Sequence, residues 1–90
     1  MKSIKFYSDP GHGWAETTIQ EIKDLGIECD ISSFSYRRGN KVYLEEDCDL
    51  SRYMKALGFA PDDCNVKYAF IDEHTNQDSE IRTFRPYYID

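Results

Sequence analysis

No stretch of this chain approaches the roughly 20 consecutive apolar residues of a membrane-spanning helix, which leaves the sequence without a candidate span. The start, Met1-Lys2-Ser3-Ile4-Lys5-Phe6, goes directly into apolar/polar alternation and lacks the apolar run of a signal peptide. Cysteine is sparse: Cys29, Cys48 and Cys64 are an odd set at wide spacings, with no C-x-x-C pair to suggest a zinc knuckle or a redox motif. Reduced thiols are the simplest reading, and the expected location is the cytoplasm. Basic residues are outnumbered, 11 against 17 acidic, for a net charge of −6. That balance disfavours direct binding to nucleic-acid phosphates, whose affinity comes from Lys and Arg displacing counterions, and permits long-range attraction to a basic partner. Neither Ser35 nor Cys48 has a nucleophile elbow or a papain-like or caspase-like setting around it. No catalytic residue, metal ligand or cofactor is therefore assigned.

What is present suits one small α+β domain spanning residues 1–90. A chain of 90 residues buries only roughly two-thirds of its unfolded surface, and 7 Tyr, 5 Phe and 1 Trp within a 40% apolar composition make its core aromatic-rich. Ile4 and Phe6 alternate with Lys5 and Tyr7 in a first strand that ends at the turn-forming Asp9-Pro10-Gly11. After Trp14, Ile19, Ile22 and Leu25 fall at helical spacing, with Thr17 or Thr18 as cap and Gly26 as stop. Alternation returns over Ile31–Tyr36 and Lys41–Glu46, around the turn composition Arg38-Gly39-Asn40, and predicts a β-hairpin.

Leu50, Tyr53, Met54 and Leu57 follow the i, i+3, i+4, i+7 pattern of a second helix, with Asp49 as N-cap, Gly58 as stop and Pro61 beyond it. Val66, Tyr68 and Phe70 form a further strand. A polar loop over Glu73–Glu80 then leads to an extended segment around Ile81–Phe84, which Pro86 restricts to a sheet edge. The order β-α-β-β-α-β is that of a ferredoxin-like split βαβ fold, with two helices on one face of a mostly antiparallel sheet and an additional C-terminal edge strand. Such an edge can pair with a second copy, giving a homodimer.

Three segments carry functional chemistry. In Asp9-Pro10-Gly11-His12-Gly13-Trp14, two glycines around a histidine let the backbone present the imidazole at the surface; the plainer reading is a turn followed by a core tryptophan. In Glu45-Glu46-Asp47-Cys48-Asp49, the carboxylates offer oxygen ligands to a hard cation or a negative patch to a basic protein. The spacing does not match the D-x-D-x-D-G calcium loop, and a solvated strand end with a helix cap explains the same run. Tyr36-Arg37-Arg38-Gly39 and Arg82-Thr83-Phe84-Arg85 interleave guanidinium groups with rings, as a nucleotide-like ligand would require; surface ion pairing is the alternative. His12 and His74 are the only histidines, and with Glu45 or Asp47 they have the makings of a small hydrolase or metal-dependent site if the fold unites them. The candidate binding residues are thus Asp9, His12, Gly13, Trp14, Tyr36, Arg38, Glu45, Glu46, Asp47, His74, Arg82 and Arg85.

The blocks Asp9-Pro10-Gly11-His12-Gly13-Trp14, Ser35-Tyr36 before Gly39, Tyr43-Leu44-Glu45-Glu46-Asp47-Cys48-Asp49, and the closing His74-Thr75 with Ile81-Arg82 span nearly the whole chain. In these blocks the sequence resembles a family of small uncharacterised proteins of bacteriophages, prophages and plasmids. Members of that family often open the first helix with a proline, where this chain has Thr18. The resemblance implies a setting rather than a reaction: a small accessory protein, acting in the host cytoplasm, that binds a host protein and modulates or inhibits it, with a defence factor among the candidates. A binder of a nucleotide-like signal and a small enzyme are the alternatives.

Overall fold

The computed structural model describes residues 2–58 and 68–88. Strand β1 (Lys2–Ser8) forms where Ile4 and Phe6 alternate with polar residues. At its end the Asp9 N–H donates to the His12 carbonyl at 2.9 Å, and the Asp9 carboxylate accepts from the Gly11 and His12 N–H groups, each at 2.9 Å. This side-chain-closed turn reverses the chain into β2 (Gly13–Thr18), antiparallel to β1 with Tyr7 opposite Trp14. The sequence pattern had led from the turn toward a helix. Only Trp14 and Ala15 are apolar in β2, one on each face, so no period-2 apolar signal marks the strand. Gly13 is needed for close approach, since a Cβ there would overlap the Phe6 ring.

Helix α1 (Ile19–Asp24) starts where expected: Thr18 Oγ1 accepts from the Glu21 N–H at 3.1 Å, and Gly26 leaves the helix with φ of 71°. The expected strand over Ile31–Tyr36 is largely replaced by turns, and only β3 (Tyr36–Arg38) is extended. The hydroxyls explain the change. Ser32 donates its N–H and Oγ–H to Asp49, and Ser35 Oγ donates to Asp49 Oδ2 at 2.5 Å while accepting from the Glu45 N–H at 3.0 Å. Local polar bonds of this kind compete with the strand ladder.

The predicted hairpin is present: β3 pairs with β4 (Lys41–Glu45) across Gly39-Asn40, with Gly39 at φ 59°. Helix α2 (Leu50–Ala56) begins after Asp49, but Asp49 makes no side-chain cap bond because its carboxylate is committed to Ser32 and Ser35. Pro61 and Val66 lie outside the described residues. Strand β5 (Tyr68–His74) continues through Glu73 and His74, which the sequence pattern had put in a loop. The segment around Ile81 is a 3₁₀ helix, Glu80–Thr83, rather than extended; Ser79 Oγ caps it by accepting from the Ile81 N–H. Strand β6 (Arg85–Pro86) then pairs with β3 at the sheet edge, as Pro86 requires.

The fold is α+β: the described residues form a six-stranded, mostly antiparallel sheet in the order β5-β1-β2-β4-β3-β6, with two α-helices. It departs from the expected β-α-β-β-α-β layout in two respects. A strand, β2, is inserted before α1 and lies between β1 and β4, and β5 runs parallel to β1. The two sheet faces differ. Ile4, Ala15, Val42 and Leu44 form one cluster with Ile22 of α1 and Tyr53 and Met54 of α2, so both helices serve one face. Trp14 and Tyr43 form the other cluster with Ile81 of the 3₁₀ helix, flanked by Tyr7, Tyr36 and Phe84. Among the described residues no helix is long and apolar enough to cross a membrane.

Candidate functional site

The site begins with the turn after β1. Asp9 is buried, and besides Gly11 and His12 it accepts from the Ser79 N–H at 2.9 Å and from Arg82 through Nε at 2.5 Å and Nη2 at 2.9 Å. The Arg82 guanidinium, followed by these backbone N–H groups, holds the Asp9 carboxyl well below the usual carboxylate range despite burial. Asp9 is therefore saturated within the protein. It ties the His12 turn to the C-terminal segment, and it positions recognition groups instead of being one. Arg82 completes the anchor by lying over the Trp14 ring, 5.4 Å from its centroid.

Trp14 is 1% exposed and packs edge-on against Tyr36, with centroids 6.2 Å apart. Its indole Nε1 is buried without a hydrogen-bond partner among the described residues. The His12 ring lies 6.1 Å from Trp14 and is about half exposed, and its Nδ1 is 3.2 Å from Glu45 Oε1. Glu45 is nearly buried because β4 pairs with β2 in a register that sets Trp14 opposite Glu45. The second oxygen, Oε2, accepts from the Asp47 N–H at 2.7 Å and the Cys48 N–H at 3.0 Å. The acidic run thus folds into a turn around its own first carboxylate, leaving the exposed Asp47 side chain beside His12. Glu46 is exposed, and its N–H donates to the Gly13 carbonyl at 3.0 Å.

His12, Trp14, Tyr36, Glu45, Asp47 and Arg82 line one cavity of about 290 Å³, and Phe34 and Cys48 complete its wall. Sequence reasoning did not nominate Phe34. Its signal was an aromatic side chain between two serines, and it is 68% exposed. Burial, then a hydrogen bond to Glu45 and the negative charges of Glu45, Asp49 and Asp47, push the Cys48 thiol pKa up, which keeps it a poor nucleophile. Ser35 is fully buried and bonded at both ends, so it is a structural hydroxyl.

Three candidates lie elsewhere. Arg38 pairs with Glu80 at 3.1 Å and lies over Phe84, 5.2 Å from the ring centroid. Arg85 shares a shallow groove with Arg37 and Arg38. His74 meets Ser8 Oγ at 2.9 Å through Nδ1 and Asn76 Oδ1 at 3.2 Å through Nε2, and it lines a separate cavity of about 500 Å³ with Tyr7, Tyr43 and Ile81. Burial and the adjacent Glu16 push Tyr43 up to about 12, so that cavity presents a phenol rather than a base. The two histidines line different cavities. Comparison of the chain with protein-family models, curated proteins and solved structures finds no match.

Proposed function

We propose that this chain is a non-enzymatic, phage-type accessory protein that binds a host protein, a defence factor among the candidates, through the surface formed by the His12 turn and the acidic end of β4. The observation that carries the reading is the His12–Glu45 contact, which joins segments 33 residues apart into one continuous surface. On that surface Glu46 and Asp47 are exposed charges and Phe34 is an exposed ring. An apolar anchor beside carboxylates suits a basic partner, and the net charge of −6 favours its approach. The two-residue edge β6, which contains Pro86, is a poor template for pairing two copies.

The test is affinity capture from host lysate, followed by reconstitution of the complex from purified proteins. The expected result is near-stoichiometric binding to one partner, weakened by salt and lost when Glu46 and Asp47 are changed to Lys. Binding that ignores both charge reversals would refute the proposed surface. A second reading, recognition of a nucleotide-like ligand, draws on Trp14, Tyr36 and Arg82 sharing the cavity. Against it, Arg38 and Arg85 lie outside that cavity, whose volume sits at the small end of ligand pockets. Mass spectrometry of small molecules released from the purified chain distinguishes the two.

A further inference from the structure

We infer that His12, Glu45 and Asp47 form a binding site for one first-row divalent transition-metal ion, with the ion's remaining positions open to water or a partner's oxygen ligand. The sequence put His12 with Glu45 or Asp47 only in a site that also needed His74; the β2–β4 pairing brings His12, Glu45 and Asp47 together without it. Each residue offers a ligand atom, and the three atoms lie within 4.8 Å of one another. The 3.2 Å between His12 Nδ1 and Glu45 Oε1 fits two neighbouring ligands of one ion, which sit about 3.0–3.5 Å apart when each bond is near 2.1 Å. Asp47 is exposed, and its carboxylate oxygen lies within the same 4.8 Å as the other two ligand atoms.

The surroundings orient these donors. Glu45 Oε2 is occupied by the Asp47 and Cys48 N–H groups, so Oε1 is the oxygen turned to His12. The His12 backbone is fixed in turn by Asp9. Bonds of this kind, one step behind the ligands, set ligand direction and strengthen metal sites. Charge is also balanced. Glu45 and Asp47 offset a dication, while the positive charge of Arg82 is already neutralised by its paired contact with Asp9.

A nitrogen with two carboxylate oxygens favours zinc-like ions over magnesium or calcium, which prefer all-oxygen shells. Three protein ligands leave a coordination position free. Trp14 lines the same cavity, and its Nε1 is buried without a hydrogen-bond partner among the described residues.

The experiment uses the purified full chain freed of metal by chelation, and it does not depend on the host-partner reading. Zn²⁺ is titrated by calorimetry, with Mg²⁺ as comparison, while NMR follows the His12 ring. The native chain should take up one equivalent of Zn²⁺ and shift the His12 resonances, with no equivalent uptake of Mg²⁺. His12→Ala and Asp47→Asn, both at exposed positions, should lose that equivalent while retaining the native near-ultraviolet circular dichroism. Unmoved His12 resonances at saturating Zn²⁺, or full uptake by either folded variant, would overturn the inference and leave His12–Glu45 as a simple hydrogen bond. Metal uptake without host capture would count against the partner alone, and capture without uptake against the metal alone.

Discussion

The two faces of the sheet use similar strands for different ends. Ile4, Ala15, Val42 and Leu44 meet the helices through aliphatic packing. On the reverse face Trp14, Tyr43 and Ile81 pack under a 3₁₀ turn, and the pairing of a buried Asp9 carboxylate with the partly exposed Arg82 secures that segment. Apolar packing tolerates modest changes of shape at a graded energetic cost. A buried carboxylate with five donors is less forgiving, because its loss strands the Gly11, His12 and Ser79 N–H groups and removes the partner of Arg82. The helix face therefore supplies general stability, and the aromatic face holds polar groups in defined positions at the surface.

The largest expected effect breaks that anchor. Asp9→Ala should cost about 3–5 kcal/mol, read as the change in urea unfolding free energy, and should also release the His12 turn, read as faster hydrogen exchange at His12 and Ser79. On the opposite face Leu44→Ala should cost about 2–5 kcal/mol through cavity formation while leaving that local exchange pattern intact. Loss of the His12 turn in Leu44→Ala would show that the faces are not separable. Thr18→Ala, which removes the cap of α1, should cost about 1 kcal/mol by the same unfolding assay. His12→Ala should change stability by no more than about 0.5 kcal/mol, because the ring is half exposed.

Acid sharpens the same contrast. The folded Asp9 pKa is depressed, so the unfolded chain takes up this proton first as pH falls. The stabilisation is complete above the ordinary aspartate value of about 4 and is lost as pH drops from there toward the folded value. Stability measured between pH 6 and 2.5 should fall more steeply for the native chain than for Asp9→Asn, whose curve lacks this contribution. Parallel curves would show that Asp9 is not the group responsible.

The sequence was informative wherever structure depends on near neighbours. Thr18 and Gly26 bound α1, Gly39 turns the hairpin, and Gly58 at φ 87° ends α2. It was misleading where a distant partner intervened. Asp49 looked like a cap, but Ser32 and Ser35 claim its carboxylate. Ile31–Tyr36 alternates like a strand, but those same serines draw most of it into turns. Glu73 and His74 read as loop because they are polar, yet β1 supplies them with a parallel ladder. Of the candidate site, His12, Trp14, Tyr36, Glu45, Asp47 and Arg82 were visible as chemistry in separate segments, and Asp9 was visible without its buried role.

By itself the sequence determined the acidic balance, the caps and tight turns, the aromatic content and the small set of side chains from which a site can be built. These follow from composition and from interactions a few residues long. Tertiary structure alone decided which of them meet. Antiparallel pairing of β2 with β4 sets Trp14 opposite Glu45, and the Asp9–Arg82 bond closes the other side of the same cavity. Strand register and a bond across 73 residues depend on burial over the whole chain, and local sequence pattern does not encode them.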